Sequence, residues 1–174
     1  MILRFFAESA GLRLGNNMKK EILQYFFERY IKGTSEKVIV ADRKIFLCHL
    51  TNAVCCGIEI KNNAGKVYVT SRALKHLFDK KPAEEFFFLI DNLHKIVKYP
   101  DKIYQNKTSK RGGYCLVKRI GDLDYLCSIE AVKILCDGIG LEEIQIATAF
   151  RLRDNNYIKK YILLWSWEDG APPS

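Results

Sequence analysis

Three side chains in this sequence are candidates for chemistry on a phosphate group: His76, Arg111 and Thr148. His76 lies between cations and away from the apolar positions of its predicted helix, so we expect it at the rim of a site. Arg111 precedes Gly112 and Gly113, where the backbone can approach a ligand closely, and its guanidinium can hold two phosphate oxygens. Thr148 is a lone hydroxyl between two alanines that leave room for a ligand.

These residue types suit cleavage of RNA without a metal ion. The ribose 2′-hydroxyl can attack its own phosphate, so the protein supplies only a base, an acid and cations for the crowded phosphorus centre. His76, Arg111 and Thr148 are therefore the predicted catalytic set. Plainer interpretations stay open: a surface histidine, a charged loop around Arg111, and a strand-forming threonine.

Positive charge is concentrated between Lys95 and Arg119. This stretch has eight cations and one carboxylate, a local charge of +7 in a chain whose total is +8. Such charge repels itself unless a polyanion relieves it, and a phosphate backbone is the usual partner. The alternative is a solvated lysine-rich surface. The cations predicted to bind substrate are Lys98, Lys107, Lys110, Arg151 and Arg153.

The sequence disfavours metal and cofactor chemistry. His49, His76 and His94 are far apart and have no acidic partner at metal-ligand spacing. The pair Asp122 and Asp124 is more typical of a turn, and there is no phosphate-binding glycine loop. The six cysteines lack CxxC spacing and suggest a reducing, cytoplasmic setting. No apolar run is long enough to span a bilayer, so no cofactor, metal or membrane partner is expected.

The periodicity predicts an α+β fold in which helices pack on one face of an antiparallel sheet. A helix is predicted over 18–32, followed by strand pairs in 37–50 and 55–70. Two helices come next, the first capped at Thr70-Ser71 and the second starting after Pro82. Three apolar strands lead to a closing helix over 157–167. The expected division is an extension over 1–65, a main domain over 66–170 and a tail over 171–174.

The segments VYVTSRALKHLF, KIVKYPDKIY and ATAF followed by arginines resemble the phage-associated nuclease domains of the barnase–EndoU–colicin–RelE (BECR) superfamily. The resemblance covers about residues 66 to 168. It implies helices followed by a four-stranded antiparallel sheet whose face carries the active site. It also implies metal-independent RNA cleavage to a 2′,3′-cyclic phosphate. Our leading hypothesis is such an endoribonuclease, considered as a toxin-like effector from a mobile element, and an inhibitor protein is a candidate further partner.

By position, the resemblance matches His76 to the histidine after the first strand, Arg111 to the cation entering the sheet, and Thr148 to the strand hydroxyl. This sequence departs from some members because the late strands have no second histidine. Lys98, Lys110 or a tyrosine would then fill the second acid–base role.

Three functions remain in competition. An endoribonuclease would cleave RNA in EDTA and leave cyclic-phosphate ends. A non-catalytic RNA-binding module would use the same cations for affinity alone, with strong salt dependence and no cleavage. A phage protein-interaction domain would have no affinity for RNA at physiological salt.

Overall fold

The computed structural model describes residues 16–58, 65–109, 113–136 and 139–167. Within these ranges the chain forms four α-helices and seven β-strands. The helices are α1 (Asn16–Tyr30), α2 (Asn52–Gly57), α3 (Ser71–Lys80) and α4 (Ala83–Lys98). The strands are β1 (Lys44–His49), β2 (Lys66–Thr70), β3 (Lys102–Gln105), β4 (Tyr114–Ile120), β5 (Leu123–Cys136), β6 (Ile139–Leu152) and β7 (Ile162–Ser166). A 3-10 turn (Asn155–Tyr157) lies between β6 and β7.

All seven described strands join one sheet in the order β1-β2-β6-β5-β4-β3-β7. The β2–β6 pair is parallel and every other pair is antiparallel. The α+β class predicted from the sequence is confirmed, but the four-stranded, purely antiparallel sheet is wrong. The meander of β3 to β6 is extended at both edges. Strand β2 pairs with β6 and with β1 on one side, and β7 pairs with β3 on the other.

The two faces of the sheet are covered differently. Ile144, Ile146 and Ala149 of β6 point into the main core, which they share with apolar side chains of α1, α3 and α4. Because strand side chains alternate between faces, Phe150 and Leu152 lie on the opposite face, in a smaller cluster with Tyr161. We call these the helix face and the open face. The chain after β6 covers part of the open face.

Local sequence signals explain where the helices begin and end. The Thr70 side chain accepts a hydrogen bond from the Ala73 N–H over 3.1 Å and caps α3 as predicted. Helix α4 carries Glu84 and Glu85 in its first turn and Lys95 and Lys98 in its last. These charges interact favourably with the helix dipole at both ends. No described helix is both long and apolar enough to cross a membrane.

The residues predicted as an N-terminal extension contribute to the same core and the same sheet. Leu23, Phe26 and Phe27 of α1 are buried in the main core, and β1 pairs with β2. The predicted strand over 37–42 is not formed. The Ala41 carbonyl of this stretch instead accepts a hydrogen bond from the Ser71 hydroxyl over 2.6 Å.

Two further elements differ in type from their predictions. The segment with Cys55 and Cys56 forms α2, capped by the Thr51 side chain. A Cβ at Gly57 would lie 2.9 Å from Ile103 Cδ1, so the glycine allows α2 to pack closely on the sheet. The predicted closing helix is instead a turn followed by β7, which hydrogen-bonds to β3 through pairs such as Ile103 and Trp165. A short apolar run is compatible with a helix or with a strand. Here it forms a strand, which pairs with the edge of β3.

Candidate nucleic-acid interface

The structure does not bring His76 and Thr148 together. His76 is exposed on α3, whose buried residues Leu74 and Leu77 pack into the helix-face core. Thr148 lies on the open face, as its strand neighbours Ala149 and Phe150 require. Side chains on opposite sides of a sheet cannot both bind one phosphate, so the shared site predicted from the sequence is not formed. Arg111 lies outside the described residues.

The cations predicted to bind substrate are dispersed. Lys98 ends α4, with its ammonium 5.2 Å from the centroid of the Tyr99 ring, and Lys107 is exposed in the turn after β3. Arg151 and Arg153 lie at the end of β6, where Arg153 pairs with Glu85 over 3.2 Å. Lys110 lies outside the described residues. The four that the structure describes therefore lie on three separate elements rather than on one.

Part of the positive charge between Lys95 and Arg119 is paired within the fold. Lys118 Nζ forms an ion pair with Asp101 Oδ1 over 3.0 Å, and the backbone N–H of Arg119 donates to Asp101 Oδ2 over 2.7 Å. Within the described chain, no group of three or more histidine, cysteine or acidic side chains is placed to hold a metal ion.

Two shallow depressions meet at the end of β6. They have volumes of about 590 and 500 Å³ and share Arg151, Leu152 and Arg153. Their cations are offset by nearby carboxylates, with Glu85 paired to Arg153. This corner is therefore a weaker polyanion site than its arginines alone would suggest. The residues lining one or both depressions include Lys80, Lys81, Glu85, Arg119, Asp122, Asp124 and Asp154.

Three aromatic side chains form a platform on the open face of β1 and β2. Phe46 is 38% exposed, although it lies within a strand. The His49 ring lies 5.0 Å from it and the Tyr68 ring 5.9 Å, both edge-on. Phe46 and Tyr68 are also partners in the ladder. We call Phe46, His49 and Tyr68 the aromatic platform.

Lysines flank this platform on both sides. Lys44 Nζ lies 4.8 Å from the centroid of the Tyr68 ring and pairs with the buried Glu143 over 2.5 Å. Gln145 Nε2 donates to the other oxygen of Glu143 over 2.6 Å, which fixes the carboxylate. Lys66 is exposed opposite His49 and has no ionic partner among the described residues. Cations beside an exposed ring suit binding of a phosphate-linked base.

A row of hydroxyl and thiol groups continues across the open face. Thr148, Ser128, Cys115 and Tyr104 are successive ladder partners on β6, β5, β4 and β3. The Cys115 Sγ and Ser128 Oγ atoms lie 3.4 Å apart. Burial raises the pKa of the Cys115 thiol, an effect that the contact with Ser128 only partly offsets, so this thiol is a poor nucleophile. We call Thr148 and Ser128 the hydroxyl pair.

The prediction from sequence missed the aromatic platform. The signal was present in the strands KIFLCH and KVYVT, where Lys44 and Phe46 alternate with inward residues, as do Lys66 and Tyr68. A lysine and an aromatic ring two residues apart share one face of a strand. The parallel pairing of β2 with β6, which places Gln145 beside Tyr68, could not be predicted from the sequence.

Comparison with known proteins adds no relative on which to base a function. No protein-family model, curated protein or solved structure matches this chain.

Proposed function

We propose that this chain binds single-stranded RNA on its open face, with the aromatic platform as the stacking surface. The observation that carries the proposal is the half-exposed Phe46 ring, held between His49 and Tyr68 and flanked by Lys44 and Lys66. Proteins that bind single strands combine aromatic rings, on which bases stack, with cations that follow the backbone. A ligand that covers this exposed ring gains free energy by removing apolar surface from water.

The geometry favours a single strand over a duplex. A base can stack on the exposed Phe46 ring only when its own face is not already stacked in a helix. Lys66, which is exposed on the same face, can contact a phosphate next to that base, whereas the charge of Lys44 is shared with Glu143. This proposal does not require His76 to reach the open face.

RNA cleavage remains a separate prediction. It requires a base and an acid within hydrogen-bonding reach of the same phosphodiester, and His76 and Thr148 do not meet that requirement jointly. The binding function needs only the platform and its cations, so it is the better supported of the two. Incubation of labelled RNA with excess protein in EDTA, followed by analysis of the product ends, tests cleavage directly.

The binding test is fluorescence anisotropy with a labelled single-stranded RNA of about twelve nucleotides and the corresponding duplex, at several salt concentrations. We expect tighter binding of the single strand. With three to five phosphates neutralised, log K should fall with log salt at a slope of about −2 to −3.5. Equal affinity for duplex and single strand would contradict the platform, and absence of RNA binding at physiological salt would favour a protein-interaction domain.

Replacing Phe46 by alanine should weaken RNA binding. Loss of one stacked base costs about 1–3 kcal/mol, which corresponds to a dissociation constant about 5- to 150-fold higher. The matched control is Phe88→Ala. Phe88 is equally exposed, at 38%, but it lies on α4 and stacks on Tyr125 at 5.0 Å. If both variants bind like the wild type, or both lose the same affinity, Phe46 is not a specific stacking residue.

A further inference from the structure

The hydroxyl pair lies where it can contact the sugar of a bound strand. Thr148 and Ser128 are direct ladder partners on β6 and β5, and neighbouring strands are about 4.8 Å apart. Gln145, the ladder partner of Tyr68, is three residues before Thr148 along β6, a distance of about 10 Å at strand spacing. Phe46 is one strand further away, as the other ladder partner of Tyr68, so about 14 Å separate Phe46 from Thr148. A single strand with a base stacked on Phe46 can therefore place the ribose of a nearby nucleotide at the hydroxyl pair.

Both hydroxyls are available for a ligand. Thr148 and Ser128 are half-buried on the open face, so their oxygens are held by the strands but remain open to solvent. Among the described residues, the Thr148 hydroxyl has no hydrogen-bond partner. Ser128 Oγ has only the Cys115 thiol, 3.4 Å away, and a thiol is a weak donor and acceptor. Each hydroxyl can thus still donate and accept a hydrogen bond.

We infer that the open face selects RNA over DNA through hydrogen bonds between the hydroxyl pair and ribose 2′-hydroxyl groups. The 2′-hydroxyl both donates and accepts, and it is the group that allows a protein to distinguish RNA from DNA. Thr148 and Ser128 offer two such partners side by side, at the spacing of adjacent strands. The inference rests on the proposed binding of RNA to the platform and assigns the sugar specificity of the same site.

The test compares three oligonucleotides of one base sequence: RNA, DNA with deoxyuridine in place of uridine, and RNA methylated on every 2′-oxygen. Wild-type protein should bind RNA most tightly. Each lost hydrogen bond should weaken binding about two- to twelvefold. In Thr148→Val with Ser128→Ala, the ratio of RNA affinity to DNA affinity should fall toward one. Valine keeps the shape and strand preference of threonine.

Two controls separate lost hydrogen bonds from lost structure. Thr148→Ser keeps the hydroxyl and should keep the preference for RNA. Ser35→Ala removes an exposed hydroxyl from the loop after α1 and should leave both affinities unchanged. The three wild-type measurements need no variant, so the inference stays testable even if the double variant fails to fold.

The outcomes separate this inference from the function on which it rests. Equal wild-type affinity for RNA and DNA, with Phe46→Ala still weakening both, would overturn the role of the hydroxyl pair and leave binding at the platform intact. A preference for RNA that persists in Thr148→Val with Ser128→Ala would overturn it as well. Absence of binding to every oligonucleotide would overturn the proposed function and this inference together.

Discussion

Replacing Asp79 by asparagine is expected to lower the free energy of unfolding by about 3–5 kcal/mol, because it leaves a buried ammonium without its counter-charge. The Lys75 and Asp79 side chains are only 3% and 8% exposed, and Lys75 Nζ lies 2.6 Å from Asp79 Oδ1. Asp79 Oδ2 also accepts from the Lys37 N–H over 2.8 Å, at a residue with φ of 62°. Urea-induced unfolding at pH 7 measures the loss.

Two further variants show whether burial is the cause. Glu28 and Lys32 have the same i,i+4 spacing but are 55% and 61% exposed, so Glu28→Gln should cost no more than about 0.5 kcal/mol. Lys75→Met combined with Asp79→Leu removes both charges and should be clearly more stable than Asp79→Asn alone. A loss of less than about 1 kcal/mol in Asp79→Asn would show that the pair contributes little.

The same pair predicts how stability depends on pH. Burial by itself would raise the pKa of Asp79, but the hydrogen bonds from Lys75 and Lys37 and the Lys75 charge outweigh it, so the pKa is lowered from its ordinary 3.8. A lowered folded-state pKa gives stability that is complete above the unfolded-state value and is lost as pH falls through the folded-state value. Below about pH 4, wild type should therefore lose stability more steeply than Asp79→Asn.

Replacing Phe86 by alanine is the second large change that we expect, with a loss of about 3–5 kcal/mol in the free energy of unfolding. Phe86 is fully buried, and its ring lies 5.2 Å from Phe27, 5.2 Å from Phe78 and 5.3 Å from Phe87. These contacts join α1, α3 and α4. The substitution leaves a cavity at the point where three helices meet, and the surrounding rings can fill it only partly.

The neighbouring Phe88 provides the control for this prediction. It is 38% exposed and its ring contacts Tyr125 outside the Phe86 cluster, so Phe88→Ala should cost much less than Phe86→Ala. Phe86→Leu keeps most of the volume and should also cost less. Thermal unfolding and urea titration measure all three variants. Similar losses for Phe86→Ala and Phe88→Ala would contradict a packing origin.

The elements with strong local signals could be predicted from the sequence. Thr70 and Pro82 indicated the starts of α3 and α4, because a side-chain cap and a fixed proline φ act on their own neighbours. The runs of β4, β5 and β6 were recognised from their alternating or continuous apolar residues. Helix α1 was predicted over 18–32 and is observed as Asn16–Tyr30. In the helices, the signals that were recognised lie within a few residues along the chain.

The remaining elements depend on partners distant in the sequence. The run ILLWS became β7 because β3 offers it an unpaired edge, and nothing within the run itself favours strand over helix. The chain over 41–43 is held by Ser71, far along the sequence. Such contacts leave no periodic pattern from which to predict them.

The candidate site also has some features that could be predicted from the sequence and others that could not. Lys44, Phe46 and Tyr68 have outward positions that strand alternation could have identified. The separation of His76 from Thr148 could not have been predicted, because it depends on which face of the sheet α3 covers. Thr148 was selected for its small neighbours, and it remains a candidate, although now with Ser128 as its companion rather than His76.

The parallel pairing of β2 with β6 also has a kinetic consequence. Val67 aligns with Ile144, so this contact closes a loop of more than seventy residues, at an entropic cost of about 4 kcal/mol. In the β3–β6 meander each strand pairs with the next strand along the chain, so its contacts are more local and have a smaller entropic cost. We therefore expect strands β1 and β2, and with them the aromatic platform, to join the sheet after the β3–β6 meander has formed.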